Sequence, residues 1–187
     1  MSHEIRTPMN SIIGFSDLLG DESLSKDEKN HFIRIIHQNG NQLMTIINDI
    51  IDISKIESGQ ISLNYEGVDL NLVLKDIYEM FEIQFAAKGL KLIKEPNANL
   101  SPLFVITDEL RLKQILINLI SNALKFTDDG QIVFGYEIHI KENMIHFYVQ
   151  DTGIGIPKSK QETIFQRFIQ AESKTTKLYG GTGLGLA

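Results

Sequence analysis

Two stretches near the start of the chain repeat apolar residues at the spacing of α-helices. The first covers residues 1–19, and the second covers residues 26–58 and ends before Gly59, a residue that often stops a helix. Between them, Ser25 and Glu28 form the capping-box pattern that begins a helix. The apolar pattern therefore predicts two helices that are joined by a short turn into a hairpin.

The apolar stripe of the second helix is too wide for the first helix to cover alone. Isoleucines widen it on both sides, and these are Ile33, Ile35, Ile47, Ile51 and Ile56. Two hairpins that pack into a four-helix bundle would bury such a stripe, so we expect a homodimer. The alternative is that the hairpin packs on the C-terminal part of its own chain.

Beyond residue 60 the apolar spacing alternates between the period of strands and the period of helices. Strand patterns cover residues 60–67, 90–94, 103–107, 131–140 and 144–150. Helical patterns cover residues 70–88, with Asp69 as the cap, 109–126 and 162–168. This order predicts an α+β chain, in which a helical hairpin (residues 1–59) precedes an α/β sandwich of sheet and helices (residues 60–187).

The composition narrows the class of protein. With 42% apolar residues, 22% charged residues and a net charge of −6, the chain is expected to be globular and to bind no nucleic acid. The absence of cysteine excludes disulfides and thiolate metal sites, and it suits the cytoplasm. No apolar run approaches the ~20 residues that span a bilayer, so we expect no membrane contact within this sequence.

His3 is the first candidate for chemistry. It lies on the outer face of the first predicted helix, because Ile5 and Ile12 occupy the core-facing heptad positions. A neutral imidazole is a nucleophile near neutral pH, and Glu4 can orient it or accept its proton. Pro8 is expected to bend the helix just after His3. The pattern alone leaves open that His3 is an idle surface histidine.

A second candidate site lies on the predicted helix of residues 109–126. Asn118, Asn122 and Lys125 are spaced so that two amides and an ammonium share one face of this helix. Amide oxygen suits Mg²⁺ that is held mainly by phosphates and water, and Lys125 can neutralise phosphate charge. The spacing therefore favours a nucleotide-phosphate face, although a polar face in contact with water would show the same pattern.

The strand that ends at residue 150 runs into a carboxylate followed by two glycines. A buried Asp151 can accept a hydrogen bond from the exocyclic amine of adenine, which would select adenine over guanine. Gly153 and Gly155 would let the backbone approach the base and the ribose without a Cβ clash. An ordinary glycine turn remains the alternative for these residues.

The end of the chain is rich in glycine. Residues 170–178 are polar and without periodicity, which predicts a mobile lid over the site. Residues 180–187 follow, and they can present backbone amides at a helix start to phosphates. This segment has no Walker A lysine, and its glycines are spaced by two, unlike those of a dinucleotide-binding loop.

In this order and spacing, the motifs resemble those of the sensor histidine kinases of two-component systems. The segments that are similar to the family's H box, N box, first glycine box, F box and second glycine box are residues 2–8, 118–126, 151–155, 165–168 and 181–185. The resemblance implies a dimerisation and phosphotransfer hairpin, followed by an ATP-binding domain of the type shared with gyrase and heat-shock chaperones.

The resemblance also implies an activity. Such a kinase transfers the γ-phosphoryl group of ATP to a histidine, and then to an aspartate in the receiver domain of a response regulator. His3 would be the phosphoacceptor, Glu4 its acid-base partner, and Thr7 the residue that positions a water for dephosphorylation of the regulator. The expected setting is the cytoplasmic part of a membrane-anchored sensor.

ATP and Mg²⁺ are the cofactors that the resemblance implies. Asn122 would hold Mg²⁺, Asn118 and Lys125 would lie close to the phosphates, and Phe126 would lie against the base, although it could equally be a core residue. The other residues implied in nucleotide binding are Asp151, Gly153, Gly155, Gly181, Thr182, Gly183, Leu184 and Gly185.

The sequence departs from the family pattern at both ends. Only two residues precede His3, and the family continues past residue 187, so we expect the end of the ATP-binding sandwich to be missing. Gln170 stands where some members carry an arginine, for which Arg167 is a substitute. The other interpretations are an ATPase clamp of the same wider fold, in which His3 is idle, and a non-catalytic dimeric relay module.

Overall fold

A computed structural model of the chain describes residues 2–95 and 102–166. The first part is a hairpin of helix α1 (Ser2–Leu18) and helix α2 (Lys26–Glu57). The capping box is present, because the backbone N–H of Glu28 donates to Ser25 Oγ at 3.3 Å and that of Ser25 donates to the Glu28 carboxylate at 2.9 Å. The hairpin expected from the apolar spacing is therefore confirmed.

Glycine ends α2 as expected. Gly59 adopts a positive φ of 65°, which an L side chain rarely adopts, and its N–H donates to the carbonyl of Ile56. The next N–H, that of Gln60, donates to the carbonyl of Lys55 at 2.9 Å. These two bonds satisfy carbonyls that the end of a helix leaves without a partner.

The two helices of the hairpin pack through a short apolar seam. The rings of Phe15 and Phe32 lie 5.2 Å apart, and Pro8 and Ile46 are buried. Outside the seam, large apolar side chains stay exposed, and they include Met9, Ile13, Ile33, Met44, Ile47, Ile51 and Ile56. One hairpin therefore covers only part of its own apolar surface.

The second part of the chain combines two small sheets with two long helices. The elements are β1 (Glu66–Asp69), α3 (Leu70–Lys88), β2 (Lys91–Glu95), β3 (Phe104–Thr107), α4 (Glu109–Phe126), β4 (Gln131–His139) and β5 (Met144–Asp151). β1 pairs with β3 in antiparallel orientation, while β4 pairs with β2 in parallel and with β5 in antiparallel orientation. The α+β class is therefore confirmed.

The core of this part lies between the β2–β4–β5 sheet and helices α3 and α4. Alternate residues of β4 point into it, and the fully or nearly buried members are Ile132, Phe134 and Tyr136. α3 contributes Ile77, Phe81 and Phe85, and α4 contributes Leu116, Ile120 and Ala123. Burial of each large side chain stabilises the fold by about 1.5–3 kcal/mol, and it fixes which face of α4 remains available.

The strand expected over residues 60–67 is wrong for most of its length. Pairing begins only at Glu66, which lies opposite Thr107. Directly after Thr107, Asp108 caps α4, so β3 does not extend beside residues 60–65. Instead, the backbone N–H of Asn64 donates to Asp108 Oδ2 at 2.9 Å.

The helix expected over residues 162–168 is also not found within the described residues. A short 3-10 helix (Lys158–Lys160) is followed by turns over residues 161–165. Phe165 is 62% exposed, so its burial does not stabilise a longer helix there. Phe168 and the expected lid over residues 170–178 lie outside the described residues.

Candidate functional site

Helix α4 presents a polar stripe beside its buried face. Asn118, Asn122 and Lys125 are all half-buried in the structure. The buried side chains of the same helix turn this stripe away from the core, and the Asp108 side chain fixes the start of the helix by accepting from Arg111 N–H at 3.0 Å. The stripe is thus a partly shielded row of two amides and one cation.

Lys125 is the cation of this row. Its Nζ lies 4.9 Å from the centre of the Phe126 ring, which is cation–π distance. Burial lowers the pKa of the Lys125 ammonium, because the charged form loses hydration. A phosphate group placed beside Lys125 would restore that lost stabilisation.

The loop after β5 packs against the C-terminal end of α4. The N–H of Ile154 donates to the carbonyl of Phe126 at 3.3 Å. A Cβ at Gly153 would lie 2.4 Å from the same Phe126 oxygen, so only glycine permits this approach without a shift. Loop and helix end therefore form one unit.

Asp151 is held in place by this loop. Its Oδ1 accepts from the N–H of Gly153 at 2.8 Å. The next residue, Thr152, is also held by hydrogen bonds. Thr152 Oγ1 accepts from Gln131 N–H at 3.0 Å and donates to the carbonyl of Asp129 at 3.1 Å. The carboxylate of Asp151 is thereby fixed beside the end of α4.

The expectation that Asp151 is buried is wrong, because its side chain is exposed among the described residues. The physical reason is its position at the very end of β5, opposite Ile132. An exposed carboxylate that is fixed by its neighbours remains available as a hydrogen-bond acceptor.

Thr127 is a polar residue of the site that the sequence did not single out. It is fully buried, and its Oγ1 finds no hydrogen-bond partner among the described residues. A Cβ at Gly153 would lie 2.9 Å from this hydroxyl and 2.8 Å from Asp151 Oδ1. An unpaired buried hydroxyl is costly and therefore marks a place where a bound group or water is expected.

These groups fit adenine. The base offers an amine that donates to a carboxylate and ring nitrogens that accept from a hydroxyl, and Asp151 and Thr127 supply those two complements. The absence of a Cβ at Gly153 lets the loop pack closely enough to bring these two groups together. In the sequence, Thr127 was recognisable only as a small polar residue that directly follows the predicted helix.

Lys88 is a second residue that the sequence did not single out. Its Nζ donates to the carbonyl oxygens of Leu124 and Thr127 at 2.8 and 2.7 Å, and it lies 3.6 Å from Asp128. These contacts satisfy carbonyls at the C-terminal end of α4, where a cation is favourable. Lys88 comes from α3, so only the packing of the two helices brings it here.

The hairpin carries the other set of expected residues. The backbone of His3 and Glu4 lies in α1, but their side chains lie outside the described part of the structure. Thr7 is exposed, one turn later on the same helix, and its carbonyl accepts from Ser11 Oγ at 3.1 Å. The expected phosphate contacts of residues 181–185 also lie outside the described residues.

No group of three or more histidine, aspartate or glutamate residues suited to a metal ion occurs within residues 2–95 and 102–166. The polar stripe of α4 offers amide oxygens, among them that of Asn122, as candidate metal ligands. Over the same residues, none of the helices has the length and apolarity needed to cross a membrane.

Comparison with known proteins covers both parts of the chain. The family of His Kinase A (phospho-acceptor) domains matches residues 1–59, and the family of histidine kinase-, DNA gyrase B- and HSP90-like ATPases matches residues 107–187. The chain is 45% identical over 190 residues to hybrid signal transduction histidine kinase L of Dictyostelium discoideum, covering 100% of this chain and 11% of that protein. It spans 9% to 36% of the length of such curated relatives.

Two solved structures share the fold along most of the chain. Full-length ShkA in complex with AMPPNP superposes with a TM-score of 0.72 at 29% identity, over 99% of this chain and 37% of that one. Histidine kinase ThkA in complex with the response regulator protein TrrA superposes with a TM-score of 0.71 at 28% identity, over 90% of this chain and 48% of that one. Both resemblances include the hairpin together with the sandwich.

Proposed function

The chain belongs to the histidine kinase family, and on that basis we propose that it transfers the γ-phosphoryl group of ATP to His3. The observation that best supports this proposal is the packing of the Asp151 loop against the C-terminal end of α4. It combines a fixed carboxylate, the buried hydroxyl of Thr127, which has no hydrogen-bond partner among the described residues, and a close backbone approach at Gly153. A nucleotide base and its phosphates can bind along that unit.

In this proposal the base binds at the end of α4 and the phosphates along its polar stripe. The carboxylate of Asp151 accepts from the adenine amine, and the partly buried Phe126 lies beside the base. The ammonium of Lys125 neutralises phosphate charge, with the amide of Asn118 nearby. Residues 181–185, which lie within the part of the chain that matches the ATPase family, complete the phosphate contacts with backbone amides.

Asn122 is the residue that we propose to hold Mg²⁺ through its amide oxygen. Bound there together with the phosphates, the ion would neutralise charge that develops on the leaving diphosphate. The same stripe of α4 supplies the amide and the cation, so phosphate binding and charge neutralisation depend on one helix face.

The phosphoryl transfer is a displacement at phosphorus. A ring nitrogen of neutral His3 forms a bond to the γ-phosphorus as the bond from that phosphorus to the β–γ bridging oxygen breaks, and ADP leaves with the electron pair. The neighbouring Glu4 orients the imidazole and accepts its proton. Phosphorylated His3 then passes the group to an aspartate of a response regulator receiver domain, as the pairing of ThkA with TrrA suggests.

We further propose that two chains pair through their hairpins. The exposed isoleucines of α2 lie beside the buried seam, and they would be covered in a four-helix bundle. The division of labour would fall at residue 59, with dimerisation and phosphotransfer in residues 1–59 and ATP binding in residues 60–187. The bond from Asn64 to Asp108, which ties the chain after α2 to the second part, supports that boundary.

Incubation with ATP labelled at the γ-phosphate tests the proposal directly. We expect label on the protein that is stable in base and lost in acid, as a phosphoramidate is, and mapping should place it on His3. Label on a hydroxyl residue, or release of free phosphate without any labelled protein, would contradict the proposal and favour an ATPase clamp.

The pH dependence of ATP binding should report the pKa of Lys125. Only the ammonium form neutralises phosphate, and burial lowers the pKa of this ammonium. As the pH rises, the affinity for ATP should therefore begin to fall at a lower pH than it would with an ordinary lysine. Calorimetric titration from neutral to alkaline pH measures this fall. Lys125→Arg stays charged throughout and should remove it, whereas parallel pH profiles for the two proteins would exclude Lys125 as the titrating group.

Replacement of Thr7 with alanine should separate two activities. Thr7 lies exposed one helical turn after His3, where its hydroxyl can orient a water but cannot replace the nucleophile. We expect unchanged phosphorylation of His3 and dephosphorylation of the regulator slowed by about a hundredfold, the usual order for loss of a positioned catalytic group. Thr7→Ser should retain both activities, and equal loss of both in Thr7→Ala would indicate a structural role.

A further inference from the structure

Helix α2 contacts helix α4 through one carboxylate. Asp52, near the end of α2, accepts from Gln114 Nε2 at 2.9 Å and lies 3.4 Å from Arg111 Nη1. Arg111 Nη1 in turn donates to Gln114 Oε1 at 2.7 Å, so each of the three side chains contacts the other two. We name this set the Asp52 clasp, and it joins the hairpin to the sandwich across 59 and 62 residues of sequence.

The clasp is partly shielded from water. The side chains of Asp52 and Arg111 are 27% and 30% exposed. The hydrogen bond from Gln114, followed by the charge of Arg111, lowers the pKa of Asp52 and keeps it ionised at neutral pH. An ion pair in such a place is stronger than one in open water, yet it can still open.

The clasp residues lie on the polar stripe of α4. Positions 111, 114, 118, 122 and 125 fall within an arc of about 80° on a helix with 100° per residue. Arg111 and Gln114 therefore share a face with the proposed phosphate contacts, and Asn118 lies about 10 Å further along the axis than Arg111. The hairpin thus docks on the face of α4 that would hold the phosphates.

On the hairpin, the clasp lies about two helical turns along α2 from the level of His3. The contact of Phe15 with Phe32 sets the antiparallel register of α1 and α2, in which His3 lies opposite about residue 44. That level is eight residues from Asp52, or about 12 Å along α2. A second tie, from Asn64 N–H to Asp108 Oδ2, fixes the connecting segment to the cap of α4.

We propose that Asp52 is a positioning residue, which orients the phosphate face of α4 toward the phosphoacceptor helix by holding Gln114 and Arg111. Asp52 contacts neither nucleotide nor His3 in this proposal. It acts through α4, so its loss lowers the rate of transfer and leaves ATP binding intact. This inference rests on the proposed kinase function, since the rate in question is that of His3 phosphorylation.

The kinetic test compares Asp52→Ala with the parent protein at saturating ATP. Because small misplacement of reacting groups is costly, we expect the first-order rate of phosphorylation to fall on the order of tenfold. The dissociation constant for ATP should not change. Asp27→Ala removes an exposed carboxylate from the first turn of α2, far from α4, and serves as the control.

Charge reversal separates positioning from a general effect of mutation. Asp52→Arg and Arg111→Asp should each be slow, while the double variant should regain most of the parent rate, since Gln114 can accept from arginine as readily as it donates to aspartate. A double variant no faster than the single variants would overturn the proposal. So would an unchanged or raised rate in Asp52→Ala, or a loss of ATP affinity that matches the loss of rate.

A structural measurement keeps the inference separate from the kinase function. The chain has no cysteine, so cysteines placed at the exposed positions Arg34 and Lys141 would be the sole sites for a pair of spin labels. We expect a narrow distance distribution between them, and a broad one after Asp52→Ala. Identical distributions in the two proteins would contradict the proposed role of the clasp, even if the protein is an active kinase. If the parent protein is inactive but the expected broadening is seen, only the proposed kinase function is contradicted.

Discussion

Replacement of His3 with glutamine should abolish phosphorylation of the protein and leave its affinity for ATP unchanged. His3 lies in α1 and only receives the phosphoryl group, whereas ATP binding is assigned to α4 and to the loop at Asp151. Glutamine has no nucleophilic nitrogen, so the expected loss is complete within detection. Label transfer from γ-labelled ATP measures the first effect, and calorimetric titration measures the second.

The chain offers matched controls for this experiment. Its five histidines include His31 and His37, which are exposed on α2 of the same hairpin. Replacing either with glutamine makes the same chemical change and should leave labelling intact. Labelling that persists in His3→Gln, or that disappears in His31→Gln instead, would assign the phosphoacceptor to another residue.

Replacement of Gly153 with alanine should weaken ATP binding at least tenfold. The added Cβ would lie 2.4 Å from the carbonyl oxygen of Phe126, 2.8 Å from Asp151 Oδ1 and 2.9 Å from Thr127 Oγ1. Relief of the clash requires the loop to move away from α4, and Asp151 moves with it because its carboxylate accepts from the Gly153 N–H. Overpacking of this kind also costs about 1–3 kcal/mol of stability.

Gly67→Ala is the control in the same part of the chain. Gly67 lies in β1, and apart from its chain neighbours no atom of the described residues lies within 4 Å of where its Cβ would stand, so alanine should be tolerated there. Calorimetric titration gives the affinities, and thermal unfolding shows whether the variants remain folded at the temperature used. Parent-like ATP affinity in a folded Gly153→Ala protein would separate this loop from the nucleotide site.

The helical boundaries were predictable because their signals are local. The capping box of Ser25 and Glu28 spans four residues, and Asp69 and Asp108 cap α3 and α4 through bonds to N–H groups two and three residues later. Such bonds form within a short window of sequence, whatever the rest of the chain does. The predicted bounds of α3 and α4 accordingly agree with the structure at both ends.

Pairing and exposure were less predictable because they depend on distant segments. Residues 60–65 alternate like a strand, yet β3 ends where α4 begins and does not extend beside them. Asp151 was expected to be buried, but its place at the end of β5 leaves it exposed among the described residues. In both cases the outcome depends on the residue at which a strand ends, and the local apolar pattern of the sequence does not contain that information.

The sequence by itself determined the chemical groups and their order along the chain. The amides and the cation of α4, the carboxylate and glycines after β5, and the histidine of α1 are set by residue type and by helical spacing, both of which are properties of short segments. Only the tertiary structure placed the Thr127 hydroxyl beside Gly153, brought Lys88 to the end of α4 and set Asp52 against Gln114 and Arg111. Those contacts join residues 26 to 62 positions apart, and they exist because burial of the apolar faces decides which polar faces meet.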